Sequence, residues 1–133
     1  IKPPIPIPEF LQKAIGITDA MVADAPTFEE VYPKISDFFL GVDEMIAHNL
    51  AFDRSMLANE LVRIEKVLKF PWPKKHTCTV EKSLPIEQRR ISLTNLHKHA
   101  FGKEFVDAHS AKADVYALTR CYHWLCESGF IND

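Results

Sequence analysis

His48-Asn49-Leu50-Ala51-Phe52-Asp53 and His109-Ser110-Ala111-Lys112-Ala113-Asp114 decide how this chain is read. Each segment ends in a carboxylate that opens an amphipathic helix. Leu57, Leu61, Ile64 and Leu68 follow Asp53 at helical spacing, and Leu118, Cys121 and Leu125 follow Asp114. Both acids therefore fall on the stripe that their helix should bury, where a carboxylate is costly unless a cation sits opposite. Helix capping accounts for either Asp taken alone, since Asp suits a helix start and its dipole. Two such acids, with His109 five residues ahead of the second, are better explained by a shared divalent cation.

Outward from these segments the chain alternates between strand and helix signals. Met45-Ile46-Ala47 is a short apolar run that fits a buried strand delivering His48 and Asn49 to a loop. A helix from Phe52 to about Leu68 follows and is broken by Phe70-Pro71-Trp72-Pro73. Lys75 to Val80 reads as a second strand, with Thr77 and Thr79 suited to it. Ser92 caps a helix that ends before Gly102, and the last helix runs from Ala111 to about Ser128. Upstream, Thr27-x-x-Glu30 is a capping box opening a helix through about Leu40, with Phe28, Val31, Ile35, Phe38 and Phe39 toward the core. Pro8 to Ile15 reads as a short helix stopped by Gly16. Lys2 to Pro8 holds four prolines in seven residues, which excludes a helix or a central strand there. Strands separated by helices imply an α/β fold with a parallel pair, whose ligand sites gather at the carboxyl ends of the strands. Asp53 lies just past such an end.

With 133 residues and 47% apolar content, residues 1–133 are expected to form a single domain around one core. No apolar run approaches the ~20 residues that span a bilayer, and there is no signal-peptide pattern, so no membrane association and a cytoplasmic location are expected. Cys78, Cys121 and Cys126 are an odd number with two in one helix, which favours free thiols over disulfides. A zinc site from Cys121, His123 and Cys126 is rejected: at 100° per residue His123 points away from Cys121, and no second ligand pair with suitable spacing is present.

The two motif segments also match a known pattern. His-Asn-x-x-Phe-Asp followed by His-x-Ala-x-x-Asp resembles the second and third motifs of the 3′→5′ exonucleases of the DEDD superfamily, histidine subclass. Ser92-Leu93-Thr94-Asn95-Leu96 and Ala100-Phe101-Gly102 are similar to the family's stretch before its last motif. Ile1-Lys2-Pro3 and Ile15-Gly16-Ile17-Thr18 resemble the stretch after its third strand, so the likeness covers nearly the whole chain. The family's first motif, Asp-x-Glu, supplies two of its four metal-binding carboxylates, and no Asp-x-Glu occurs in these residues. Asp43 and Glu44 are adjacent and would face opposite sides of a strand. The resemblance thus implies a ribonuclease-H-like exonuclease fold represented by its C-terminal two-thirds or so. Its N-terminal β-hairpin would be missing, leaving two strands and the tail of a third at Ile1.

What the resemblance implies chemically is phosphodiester hydrolysis with two Mg²⁺ or Mn²⁺ ions in the intact domain, since hard carboxylates select hard cations. Asp114 and Asp53 would be the metal ligands and His109 the general base, making these three the catalytic set. The expected substrate is the 3′ end of single-stranded DNA. RNA stays open because no residue here decides how a 2′ hydroxyl is accommodated. A DNA polymerase subunit is the expected partner, as for proofreading relatives. Candidate substrate contacts are Asn49, Phe52, and Arg89 with Arg90, although Phe52 is expected to pack rather than to stack on a base. The net charge of −2 does not advertise nucleic-acid binding, but such a nuclease can grip phosphate through the cations on its own acids. Two other readings compete: a catalytically inactive nucleic-acid-binding or polymerase-associated module with the same fold, and a helical interaction domain whose motifs are coincidence.

Overall fold

The computed structural model describes residues 1–132. Its elements are α1 (Glu9–Ile15), α2 (Asp19–Val22), α3 (Phe28–Phe39), β1 (Glu44–Ala47), α4 (Leu50–Arg63), β2 (Lys75–Cys78), α5 (Thr79–Lys82), α6 (Leu84–Glu87), α7 (Leu93–Phe101) and α8 (Ala111–Glu127). They fall into two compact units, one made of Ile1–Val42 with Leu57–Pro73, the other of Asp43–Met56 with the residues from Lys74 on.

In the first unit Phe28, Leu61 and Phe70 are buried, with Val31, Ile35, Phe39, Leu57 and Trp72 packed around them. The Phe70 ring lies 4.9 Å from both Phe39 and Trp72, close enough for tilted and edge-on aromatic contacts. Phe38, expected in this core, is 78% exposed, because its neighbour Phe39 takes the inward position one helical step away. Thr27 caps α3 as expected, its hydroxyl oxygen accepting from the Glu30 N–H at 3.3 Å. The helix α4 stops short of the expected Leu68. Glu65 turns into the left-handed region at φ 59° and Lys66 N–H closes back on the Leu61 carbonyl at 2.8 Å, leaving Leu68 almost wholly exposed. No strand forms at Ile1. Prolines without N–H groups cannot serve a ladder, and the segment is tied instead by Lys2 N–H to Pro26 O at 2.8 Å and Ile7 N–H to Asp19 Oδ1 at 2.8 Å.

The second unit holds a two-stranded parallel sheet, β1 against β2, in the register Glu44 to Lys75 through Ala47 to Cys78. Glu44 pins its start: Oε1 accepts from the Thr77 hydroxyl at 2.6 Å, Oε2 accepts from Tyr122 at 3.2 Å, and Lys75 Nζ lies 3.7 Å away. Burial and this carboxylate push the Tyr122 phenol well above its ordinary pKa. β2 is shorter than expected. At Thr79 the chain turns into α5 and then α6, where Pro85 occupies a first-turn position that needs no N–H. Ile91, Leu96, Cys121, Leu125 and Ile131 form the buried core, joining α7 to α8. Ser92 caps α7 by accepting from Asn95 N–H at 3.1 Å, and Gly102 ends it at φ 77°.

All three cysteines are free thiols, and burial pushes the Cys121 thiol up to about 11. No helix among the described residues is long and apolar enough to cross a membrane. A small parallel sheet with helices, and no antiparallel hairpin among the described residues, is the α/β arrangement the alternation of elements implied. It agrees with a ribonuclease-H-like exonuclease fold carrying a truncated sheet.

Candidate active site

The second unit contains a cleft of ≈ 570 Å³ at the end of β1. Asp53, His109 and Asp114 all line it, together with His48, Phe105 and Leu118. The two motif segments therefore meet across a common space, although they lie about sixty residues apart in the chain.

Each segment reaches the cleft through a residue in the left-handed region. Asn49, at φ 80°, turns the chain from β1 into α4, and its carbonyl receives the Phe52 N–H at 3.1 Å. Asn tolerates this conformation better than most residues. His109, at φ 75°, is likewise in the left-handed region, a conformation that costs a non-glycine residue, and it is held by Asp114, whose Oδ1 accepts from the His109 N–H at 3.1 Å. Asp114 Oδ2 accepts no hydrogen bond among the described residues. Asp114 therefore closes the loop through one oxygen and leaves the other available to a further donor or cation. The nominal cap of α8, Ser110, makes no side-chain cap bond.

His48 ties the strand end to two other elements. Its Nε2–H donates to the Ile91 carbonyl at 2.8 Å, and its Nδ1 lies 2.8 Å from the Thr79 hydroxyl oxygen. Burial lowers the His48 pKa, opposed in part by the bond to the Ile91 carbonyl. Thr79 is fully buried, and its hydroxyl lies 3.3 Å from the Ala47 carbonyl as well. At the head of α4 the Leu50 N–H donates to Cys78 Sγ at 3.3 Å. Asp53 experiences the cost expected of an acid on a buried stripe: desolvation raises its pKa, opposed by its own backbone N–H and by the charge of His48.

The remaining predicted contacts do not line the cleft. Asn49 Oδ1 accepts from Arg90 at 3.0 Å, Arg89 pairs with Glu87 at 2.7 Å, and Phe52 is 59% exposed instead of packed. Phe52 stands one residue, or 100° of helix, from Asp53, so placing the acid inward sends the ring outward. Thr79 and Phe105 contribute to the site without having been legible in the sequence. Thr79 looked like a strand residue, and nothing in a single sequence tells an aromatic that lines a cleft from one that fills a core.

The two carboxylates of the cleft, Asp53 and Asp114, are of a type that could hold a hard divalent cation. Carboxylates suit Mg²⁺ or Mn²⁺, but among the described residues no three His, Cys, Asp or Glu side chains converge as a metal cluster.

The cleft lies at a sheet end and takes an acid from each of the two motif segments, and the chain belongs to the Exonuclease family, whose profile matches residues 1–122. It is similar to the DNA polymerase III PolC-type of Clostridium perfringens, 31% identical over 117 residues, which are 88% of this chain and 8% of that protein. A 64-residue stretch, 48% of the chain, is 41% identical to the PolC-type polymerase of Caldanaerobacter subterraneus, of which it covers 4%. The DNA polymerase III subunit epsilon of Aquifex aeolicus is 29% identical over 109 residues, 82% of this chain and 52% of that subunit. The chain thus spans a small part of its PolC-type relatives and about half of that epsilon subunit. No solved structure gives a significant match.

Proposed function

We propose that this chain carries the His109–Asp114 side of a metal-dependent 3′→5′ exonuclease of the proofreading kind, acting on single-stranded DNA ends in association with a DNA polymerase. The observation that supports this most directly is that Asp53, His109 and Asp114 line one cleft in a chain of the Exonuclease family. Residues 1–133 are taken as parts of a single exonuclease domain, because the family match spans residues of both units.

Bound Mg²⁺ or Mn²⁺ would supply an acidified water for attack on the phosphodiester and neutralise charge on the leaving 3′ oxygen. Asp114, through Oδ2, would hold the ion bearing the nucleophile, while Oδ1 keeps the His109 backbone in place. Asp53 would serve the other ion, and a cation there removes the penalty its desolvated carboxylate carries. His109 would take the proton from the attacking water, a task suited to an imidazole with a free ring nitrogen. Phe52 offers an exposed ring beside Asp53 for a terminal base, and Arg90, held by Asn49, offers a cation for a phosphate.

The absent Asp-x-Glu favours one alternative, a nucleic-acid-binding or polymerase-associated module without catalysis. One assay separates the two. The chain is incubated with a 5′-labelled single strand and Mn²⁺, alone and joined to a segment bearing the Asp-x-Glu acids. The chain alone should release nothing, because positioning and fixed charge supply most of the rate in phosphoryl transfer. With the acids supplied, stepwise 3′ shortening should appear, vanish in Asp114→Asn, and fall by ~10²–10⁴ in His109→Ala. DNA binding without shortening in every form would favour the binding module. Near-native turnover in His109→Ala would remove that residue from its role.

A further inference from the structure

His97 is a fully engaged, buried imidazole that plays no part in the site as described. It lies on α7, is 3% exposed, and both of its ring nitrogens face groups of fixed character, the Lys103 carbonyl and the Arg120 guanidinium. Arg120 Nε–H, on α8, points at its Nε2 at 3.2 Å. A guanidinium can only donate, so Nε2 must present its lone pair, and the proton must sit on Nδ1. That Nδ1–H donates to the Lys103 carbonyl at 2.7 Å. Arg120 thereby selects the tautomer that can hold the backbone just past the end of α7.

The held segment is the one that carries His109. Lys103 begins the stretch between Gly102 and α8, and two residues on, the Phe105 ring packs against His97 at 5.4 Å and lines the cleft. Phe101 closes on the imidazole from its other neighbour at 4.8 Å. The far end of the stretch is strained, with Asp107 at φ 61° and His109 at φ 75°, and is closed by the Ser110 N–H on Asp107 O at 3.0 Å and the His109 N–H on Asp114. A strained turn of this kind persists only while its surroundings hold both ends. We propose that His97, locked as its Nδ1–H tautomer by Arg120, is a positioning residue that fixes the near end of the Lys103–Ser110 segment and so sets His109 at the cleft.

This rests on reading His109 as the base, but its test needs neither metal nor DNA. In the whole chain, amide hydrogen exchange is followed by NMR for the bonded N–H groups of His109 and Ser110, together with the His109 ring resonances. Leu96, Cys121 and Leu125 report on the core. His97→Ala should speed exchange at His109 and Ser110 ~10-fold and shift the His109 ring signals, with core amides unchanged, as expected for loss of one buried hydrogen bond. His97→Asn, whose side-chain N–H can reach the Lys103 carbonyl, should restore both readouts. Arg120→Ala changes an exposed residue and should move the same amides in the same direction by ~3-fold; it carries the test should His97→Ala not fold. Lys103→Ala, which keeps the carbonyl, should change nothing. Unchanged His109 and Ser110 amides in His97→Ala, or in Arg120→Ala where the former is unfolded, would overturn the proposal. So would a uniform rise across core and segment that Asn fails to rescue, since that is the mark of a packing role alone. If the exchange results hold while His109→Ala proves harmless to catalysis, His97 still positions the segment and the base assignment is what fails.

Discussion

His48 shows what a single side chain contributes when both ring nitrogens are used. Its Nε2–H on Ile91 and its Nδ1 under the Thr79 hydroxyl link the end of β1 to the start of α5 and to the approach to α7. Burial depresses its folded pKa below the ordinary 6.5, with the charge of Arg90 acting in the same direction. Between that lowered value and 6.5 the unfolded chain takes up a proton that the folded chain refuses. The contribution of His48 to stability is therefore complete above pH 6.5 and declines as the pH falls through that window. Urea midpoints measured from pH 7.5 down to 5 should drop accordingly, and His48→Ala should flatten that part of the profile while costing about 1–3 kcal/mol at pH 7.5. A profile with the same slope in the variant would assign the effect to another group. The histidine itself was visible in the sequence as part of a motif. Its partners were not, because Thr79 and Ile91 lie 31 and 43 residues away.

At the scale of elements, local signals predicted the helices well where a cap or a glycine marked the boundary. Ser92 and Gly102 bound α7 as read, and Thr27 opens α3. Where tertiary contacts set the end, the reading overshot. Leu68 continued the helical spacing of α4, yet the helix ends at Arg63 and Glu65 turns left-handed. α3 contains Pro33 in its interior, where the ring removes one helical hydrogen bond and crowds the preceding turn. Phe28, Val31, Ile35 and Phe39 keep the helix intact across it by packing on a common core. Pro33 is exposed, so Pro33→Ala should stabilise the chain by about 1–3 kcal/mol, read as a higher urea midpoint with an unchanged slope. A lower midpoint would mean that the proline's restriction of the unfolded chain outweighs the lost helical bond.

For the molecule as a whole, the question is how many carboxylates the chain brings to its cleft. Asp53 and Asp114 line it, and no three-residue metal cluster is present among the described residues. Each ion of a dinuclear site would have one protein carboxylate, and Mg²⁺ gives up water reluctantly for so few ligands. Titration of the chain with Mn²⁺, followed by calorimetry or by the paramagnetic signal of the free ion, should show weak binding, with Kd on the order of 10⁻³ M. Asp114→Asn should weaken it further. Micromolar binding that survives Asp114→Asn would place the cation elsewhere and undo the assignment of the site.

The sequence by itself determined the two motif segments, the alternation of strand and helix, and the residue types that a divalent cation would select. These depend on local periodicity and on side-chain chemistry, both carried by neighbours in the chain. Only the tertiary structure decided that Asp53, His109 and Asp114 share a cleft, that Phe52 faces outward, that Arg89 is paired with Glu87, and that Ile1 forms no strand. The shared cleft and the tie from Lys2 to Pro26 turn on contacts between residues distant in sequence, the outward Phe52 on the exact pitch at which its helix starts, and the Arg89–Glu87 pair on the local turn at Gln88, φ 58°. Periodicity gives the face of a helix but not its neighbour, and a single sequence contains no record of which distant group will satisfy a buried nitrogen, oxygen or charge.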